Sequence, residues 1–212
     1  MPVLCTDDER GAALTALEIL DAGIVLTIDS VKAAALGAGA DLAEPLLVVD
    51  IGAHLTEVGL LVDGRVTHAD RIEIGTLDLG RTTPVAHLVQ SVVGVVTDLL
   101  QLDCGGQVVD ALERGPLLTG GGALRPQITS QLAKRLLAPV RPAPAPHFAA
   151  VRGAGLALGS VGRHRSFTVA CTVVTRPASA QHHGQVGQRH SGPTKEPERA
   201  TLPWRCSGES SG

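Results

Sequence analysis

Aromatic residues are nearly absent from this chain: it has two Phe, one Trp and no Tyr in 212 residues. Any core must therefore be built from Val, Leu, Ile and Ala, which 44% hydrophobic content makes feasible. Cysteine is scarce too. Cys5, Cys104, Cys171 and Cys206 lie far apart, with no CxxC pair and no His at metal-ligand spacing. That argues against a zinc ribbon or a disulfide framework and fits scattered reduced thiols. A basic surplus is lacking, since the net charge is −3, which excludes a general nucleic-acid binder. No apolar run reaches the ~20 residues that span a bilayer. The start, MPVLCTDDER, is too acidic and too short in apolar residues for a signal peptide. These absences lead to the expectation of a cytoplasmic protein. GxxxxGK[ST] and GxGxxG are both missing, which disfavours P-loop hydrolysis and Rossmann dinucleotide binding.

What is present is a dense apolar pattern that stops near Gly162. Beyond it the chain is rich in Ser, Gly, Gln, His and Pro, with one short β-like run from Phe167 to Val174. Residues 163–212 are expected to be mostly disordered, because so little apolar surface cannot offset the ordering entropy. His182, His183 and His190 in this tail read as solvated side chains rather than metal ligands.

The first part of the chain has clear punctuation. Asp7 to Leu20 is predicted helical, with Thr6 or Asp7 as N-cap and Gly23 past its end. Ile24 to Ile28 reads as a short strand and Val31 to Leu36 as a helix that stops at Gly37 and Gly39. Leu46 to Val49 is wholly apolar, the pattern of a strand buried on both faces. Glu57 to Val62 and Arg65 to Ile74 follow as strands around Asp63-Gly64, a two-residue hairpin signal. Together they predict a three-stranded antiparallel meander. Thr83 as N-cap and Pro84 as first helical residue open a long helix, carrying Val85, Leu88, Val89, Val92, Val93, Val96, Leu99 and Leu100 on its apolar stripe. Leu117 to Thr119 is a short strand and Ile128 to Leu137 an amphipathic helix. Residues 139–146 form a Pro-rich irregular connection, and Phe148 to Leu158 a last helix. From residue 46 the order β-β-β-α-β-α-α predicts a mixed α/β layered domain.

Two stretches could carry chemistry. In Asp50-Ile51-Gly52-Ala53-His54-Leu55-Thr56-Glu57, a carboxylate closes a buried strand before a glycine turn. Backbone N–H groups in such a turn can cradle phosphate oxygens, and the carboxylate can hold Mg²⁺ through water. A plain hairpin with a solvated Asp would look the same. In Leu117-Leu118-Thr119-Gly120-Gly121-Gly122-Ala123-Leu124, three glycines between strand and helix allow a ligand close to the backbone near a positive helix end. A flexible connection would look the same here as well.

In this order, the two motifs resemble those of the actin-like ATPase superfamily, and of the MreB/Mbl rod-shape-determining family in particular. Leu47-Val48-Val49-Asp50-Ile51-Gly52 with Thr56-Glu57-Val58 resembles the family's second phosphate motif, VVDIGGGTTEV. Leu117 to Leu124 resembles its adenosine motif, LTGGGALL. Thr6 with Glu9-Arg10, and Ala33-Ala34-Ala35-Leu36-Gly37-Ala38-Gly39, are similar to the stretch from TxxERRA to AAAIGAG. Val151-Arg152-Gly153-Ala154-Gly155 with Ala157-Leu158 is similar to VARGAGKAL. The resemblance covers about residues 6–160. It implies an actin-like (ribonuclease H-like) α/β fold, a mixed sheet with flanking helices, and ATP with Mg²⁺ as cofactors. Asp50 would serve Mg²⁺, Gly52 and Thr56 would approach the phosphates, and Gly120, Gly121 and Gly122 would face the adenosine. Glu9 would orient the attacking water.

The chain also departs from the family. The DxGT-type first phosphate hairpin is not found, so residues 1–45 are expected to be a remnant of the first actin-like domain. Residues 46–162 would form the second, and 163–212 the tail. Between Asp78 and Thr83 the chain passes directly to the long helix, where the family carries a whole subdomain. Ala53-His54-Leu55 replaces Gly-Gly-Thr in the phosphate turn, and Ser30-Val31-Lys32 replaces Glu-Pro-Met. These departures predict weak nucleotide binding and little hydrolysis. The function expected is that of a non-catalytic cell-shape and cytoskeletal component. Its expected partners are full-length filaments of relatives or other copies of itself, beneath the inner membrane and touching it only through those partners. A degenerate fragment or interaction module, and a divergent ATPase or kinase of the superfamily, are the alternatives.

Overall fold

The computed structural model describes residues 1–2, 4–20, 24–80, 83–161 and 173–175. All of them fall in one unit, Met1–Arg176. The segment 163–212, expected to be mostly disordered, lies outside the described residues apart from Val173–Thr175, as do His182, His183 and His190.

The chain opens with α1 (Asp7–Glu18), whose start is fixed by a capping box. The Thr6 hydroxyl accepts the Glu9 N–H at 3.2 Å, while the Glu9 carboxylate accepts the Thr6 N–H at 2.9 Å. Two orphan amides of the first turn are satisfied in this way. β1 (Ile24–Leu26) pairs antiparallel with β7 (Val173–Thr175). α2 (Ser30–Gly37) follows and ends before Gly39, at φ +69°.

The main sheet contains β2 (Leu46–Ile51), β3 (Thr56–Val62), β4 (Arg65–Ile72), β5 (Leu117–Thr119) and β6 (Arg141–Pro142). Their order is β4-β3-β2-β5-β6. β2, β3 and β4 form the antiparallel meander, and β5 and β6 add on parallel to β2. Asp63 and Gly64 both have positive φ, +50° and +68°, as a turn matching the strand twist requires. A parallel pair needs a crossover. α3 (Val85–Leu100) and α4 (Gly105–Arg114) supply it between β4 and β5.

The sheet is covered on both faces, and period two decides which residue goes where. Leu47, Val49 and Ile51 of β2 join Leu88, Val92 and Val96 of α3, with Ile128 and Leu132 of α5 (Pro126–Leu136), in one core. Leu46 and Val48 face the other way, onto Val31, Ala34 and Ala35 of α2 and Ala149 of α6 (Ala149–Val161). Each fully buried Leu contributes about 1.5–3 kcal/mol. α2 and α6 cross almost backbone to backbone. A Cβ on Gly37 would strike the Ala149 carbonyl, and one on Gly153 the Ala33 carbonyl. The Ala-rich and Arg-Gly-Ala-Gly segments are therefore one packing unit.

Three readings change. Pro84, not Thr83, is the N-cap of α3, with extended backbone (φ −68°, ψ 148°). Thr83 instead closes a tight loop, its N–H donating to the Asp78 carbonyl at 3.1 Å. α4 was not foreseen, because its first turn is Gly105-Gly106 and its apolar stripe is short, with only Val108 and Ala111 fully buried. The stretch 139–146 is not wholly irregular, since β6 adds an edge to β5 there. Its Pro142 is tolerated because an edge strand leaves one side of its backbone without a ladder partner.

Candidate functional site

The carboxyl ends of β2 and β5 lie side by side because the two strands are parallel and in register, with Asp50 opposite Thr119. Ligands of open α/β sheets gather at such strand ends. Asp50 is also opposite Glu57 on β3, and Glu57 is opposite Arg71 on β4. Register partners share a face, so Thr119, Asp50, Glu57 and Arg71 form one polar row on the α2 side of the sheet.

The two motifs meet in this row. Gly120 has φ +76° and ψ −178°, backbone that only glycine adopts readily. A Cβ there would land on Asp50 Oδ1 and on the Ile51 carbonyl oxygen. Gly122 is pressed against the Ile51 side chain in the same way. Gly121, between them, has open space above it. The first glycine thus allows the contact with Asp50, the third allows packing, and the second leaves room for another group.

The Asp50 carboxyl is half-buried, and burial pushes its pKa above the ordinary 3.8, with the Thr119 hydroxyl opposing the shift. That hydroxyl is itself buried and makes no hydrogen bond of regular geometry. A raised carboxyl pKa means that the folded chain binds this proton more tightly than the unfolded chain. The group's contribution to stability therefore falls as pH rises from about the unfolded value through the raised folded value. Asp50→Asn removes that loss. Urea midpoints measured across this window should show the variant gaining on the wild type as pH rises, and then a constant difference. A pH-independent difference would contradict a desolvated carboxyl.

The phosphate-type turn is built by three segments. The Gly52 N–H donates to the Leu55 carbonyl at 2.9 Å, closing the turn. The Gly52 and Ala53 carbonyls accept the Thr76 and Leu77 N–H groups, both at 2.9 Å. Gly75 packs on the Ala53 backbone, and Arg125 Nη2 donates to the Thr76 carbonyl at 3.3 Å, joining the segment after the glycines to the same loop. Ala53 and His54 are exposed. Among the described residues, no acceptor is seen for the amides of Ala53, His54 and Leu55. Such successive free amides suit an anion. Thr56, by contrast, is fully buried and its hydroxyl donates to the Ile74 carbonyl at 2.8 Å.

Glu9 sits apart. Its carboxylate is committed to the α1 capping box and forms an ion pair with Arg71 at 3.5 Å. The Thr6 backbone N–H, then the Thr6 hydroxyl and Arg71, hold it below the usual carboxylate range. It reaches the polar row only through Arg71, two strands or about 10 Å from Asp50. The residue that does reach the row from a helix is Ser30, at the start of α2. Its Oγ donates to Glu57 Oε2 at 2.6 Å, and Glu57 is only 3% exposed. Ser30, Glu57 and Thr119 were not singled out as site residues. Two of them, Glu57 and Thr119, adjoin residues that were. Among the described residues no group of three His, Cys, Asp or Glu side chains forms a metal cage.

Solved structures with the same architecture include MreB5 of Spiroplasma citri bound to AMPPNP. It is 16% identical over 76% of this chain and 67% of that one, at a TM-score of 0.67. The ADP-bound form of that protein matches at 0.66, with 16% identity over 76% and 68% of the two chains. A PilM–PilN type IV pilus biogenesis complex matches at 0.54, with 19% identity over 72% and 59%. No curated protein matches the sequence. The fold is that of the actin-like ATPases: a five-stranded mixed sheet between helices, with its turns gathered at the carboxyl ends of the central strands. Residues 1–82 match the family model of the MreB/Mbl protein. The amino-terminal part of the chain is therefore similar to the MreB/Mbl family, and its fold is similar to that of MreB5.

Proposed function

We propose that this chain is a cell-shape and cytoskeletal component that holds ATP weakly at the Asp50–Gly120 junction and hydrolyses it slowly or not at all. The observation that carries the proposal is the contact of Gly120 with Asp50 Oδ1, which joins two motifs far apart in sequence into one strand-end site. ATP would add a triphosphate and, with Mg²⁺, a cation for a desolvated carboxylate to face. Asp50 would hold the hydrated cation, and the cation would offset the desolvation that raises the Asp50 pKa. The Gly52 turn would offer the Ala53, His54 and Leu55 amides to phosphate. Gly121 would leave space for the nucleoside, with Gly120 and Gly122 fixing the loop beneath it. Thr56 would act by tying the turn to the strand after it rather than by touching phosphate, because its hydroxyl is already used.

Slow turnover follows from the surroundings. Phosphoryl transfer depends on a positioned water and a complete phosphate cage. Glu9 is tied up in a helix cap and an ion pair. Ser30, which stands in the Glu-Pro-Met position of the resemblance, is a hydroxyl donor to Glu57 and not a carboxylate. The segment 1–45 is taken as a remnant of a first domain packed on a second, 46–162, with the partner surface supplied by full-length filaments of a relative or by another copy. Pelleting with pre-formed filaments of an MreB relative tests the partner. Saturable co-sedimentation is expected, with phosphate release no faster than from the filaments alone. Robust ATP turnover by the isolated chain, abolished in Asp50→Asn, would overturn the non-catalytic part.

A further inference from the structure

The amino ends of β2 and β5, at the opposite end of the same two strands from Asp50, frame a cavity of about 300 Å³. Its walls include Asp41, Leu46, Arg114, Leu117, Arg141 and Pro142. It is about 13 Å along β2 from Asp50, four residues at the rise of a strand.

The charges in this cavity are not balanced. Arg114 Nη1 donates to the Pro45 carbonyl at 2.9 Å, and Arg141 Nε to the Gly115 carbonyl at 3.2 Å. A guanidinium carries five N–H donors, so each anchor fixes the group and leaves donors over. Asp41 compensates poorly. One of its oxygens accepts the Ala43 N–H at 3.0 Å, and the other comes no nearer to Arg114 than 3.9 Å. Among the described residues Arg141 has no ion-pair partner. Two cations and one distracted carboxylate leave a surplus positive charge in a chain whose net charge is −3. Beside that charge the walls are apolar: Leu46, Leu117 and Pro142. The volume falls at about the lower end of small-ligand pockets, roughly 300–1,000 Å³.

We propose that this cavity binds a small organic oxyanion, with one phosphate or carboxylate group held by Arg141 and Arg114 and a short aliphatic body against Leu117 and Pro142. Anchored guanidinium forks favour planar or tetrahedral oxyanions over simple halides. The site is independent of the nucleotide reading, since it shares no residue with it.

The test is calorimetric titration of the full chain with butyl phosphate and with butyrate, at ionic strength matched with NaCl, and with n-butanol as the neutral control. Saturable binding of one or both anions is expected, and none of n-butanol. The tighter of the two identifies the headgroup. Arg141→Gln should weaken binding about tenfold or more, the loss of a charge-assisted contact. Arg141→Lys should fall between, and Asp50→Asn should leave it unchanged. Circular dichroism melts confirm that each variant folds. The proposal is overturned if neither anion binds saturably, if n-butanol binds as well, if Arg141→Gln binds like the wild type, or if Asp50→Asn abolishes the response.

Discussion

Gly120→Ala is expected to destabilise the chain by about 3 kcal/mol or more. The backbone conformation, φ +76° and ψ −178°, lies in a region that is essentially restricted to glycine. The new methyl would also sit on Asp50 Oδ1 and on the Ile51 carbonyl; the carboxylate can rotate away, but the carbonyl is backbone and cannot. Strain of about 1–3 kcal/mol adds to overpacking of about 1–3 kcal/mol. For a domain of this size that lowers Tm by roughly 5–15 °C. Gly121→Ala is the control. A Cβ there meets nothing within 4 Å and its φ is not positive, so it should stay within about 0.5 kcal/mol of the wild type. Equal effects of the two substitutions would mean that the Asp50–Gly120 contact does not hold the loop.

The second large effect lies where α2 crosses α6. Gly153→Val should cost about 3 kcal/mol or more, at the upper end of overpacking, because its Cβ would meet the Ala33 carbonyl and the Gly37 amide. Backbone atoms cannot swing aside, so the two helices must separate. Their separation exposes Val31, Ala34, Ala35 and Ala149, which are buried on that face. Gly155→Ala, two residues on, meets nothing within 4 Å and should stabilise α6 by about 0.5–1 kcal/mol through helix propensity. Opposite signs in thermal melts would establish the close crossing. Destabilisation by both would mean that α6 packs through a different face.

Much of this fold was legible because its signals are local. The apolar run at Leu46 to Val49 announced a strand covered on both faces, and Asp63-Gly64 announced a turn whose two residues both have positive φ. The start of α1 was readable to within Thr6 or Asp7, and the structure settles it on Thr6, with Glu9 completing a capping box. Long-range placement was not. Nothing in the sequence of Gly120 says that it will lie on Asp50 Oδ1, and only the resemblance linked the two. α4 escaped because its glycines hide a helix start and its stripe is two residues wide. Thr83 was mistaken for a cap because a threonine before a proline suits an N-cap equally well whether or not its hydroxyl is used. The site was legible as a pair of motifs but not as a row. Ser30, Glu57 and Thr119 become neighbours of Asp50 only through strand register and the docking of α2. Glu9 showed the reverse: a residue taken from a motif that the fold spends on a cap and an ion pair with Arg71.

Thermal unfolding of the full chain with and without Mg·ATP, in wild type and Asp50→Ala, shows whether the Asp50–Gly120 junction holds nucleotide. A ligand that binds only the folded state stabilises it by RT ln(1 + [L]/Kd), about 2.7 kcal/mol at a hundredfold excess over Kd. That is an upward shift of roughly 5–10 °C for a domain of this size. A concentration-dependent rise in Tm is expected, strengthened by Mg²⁺ and removed by Asp50→Ala. A cooperative melt that Mg·ATP leaves unmoved at millimolar concentration, or a rise that Asp50→Ala retains, would contradict it.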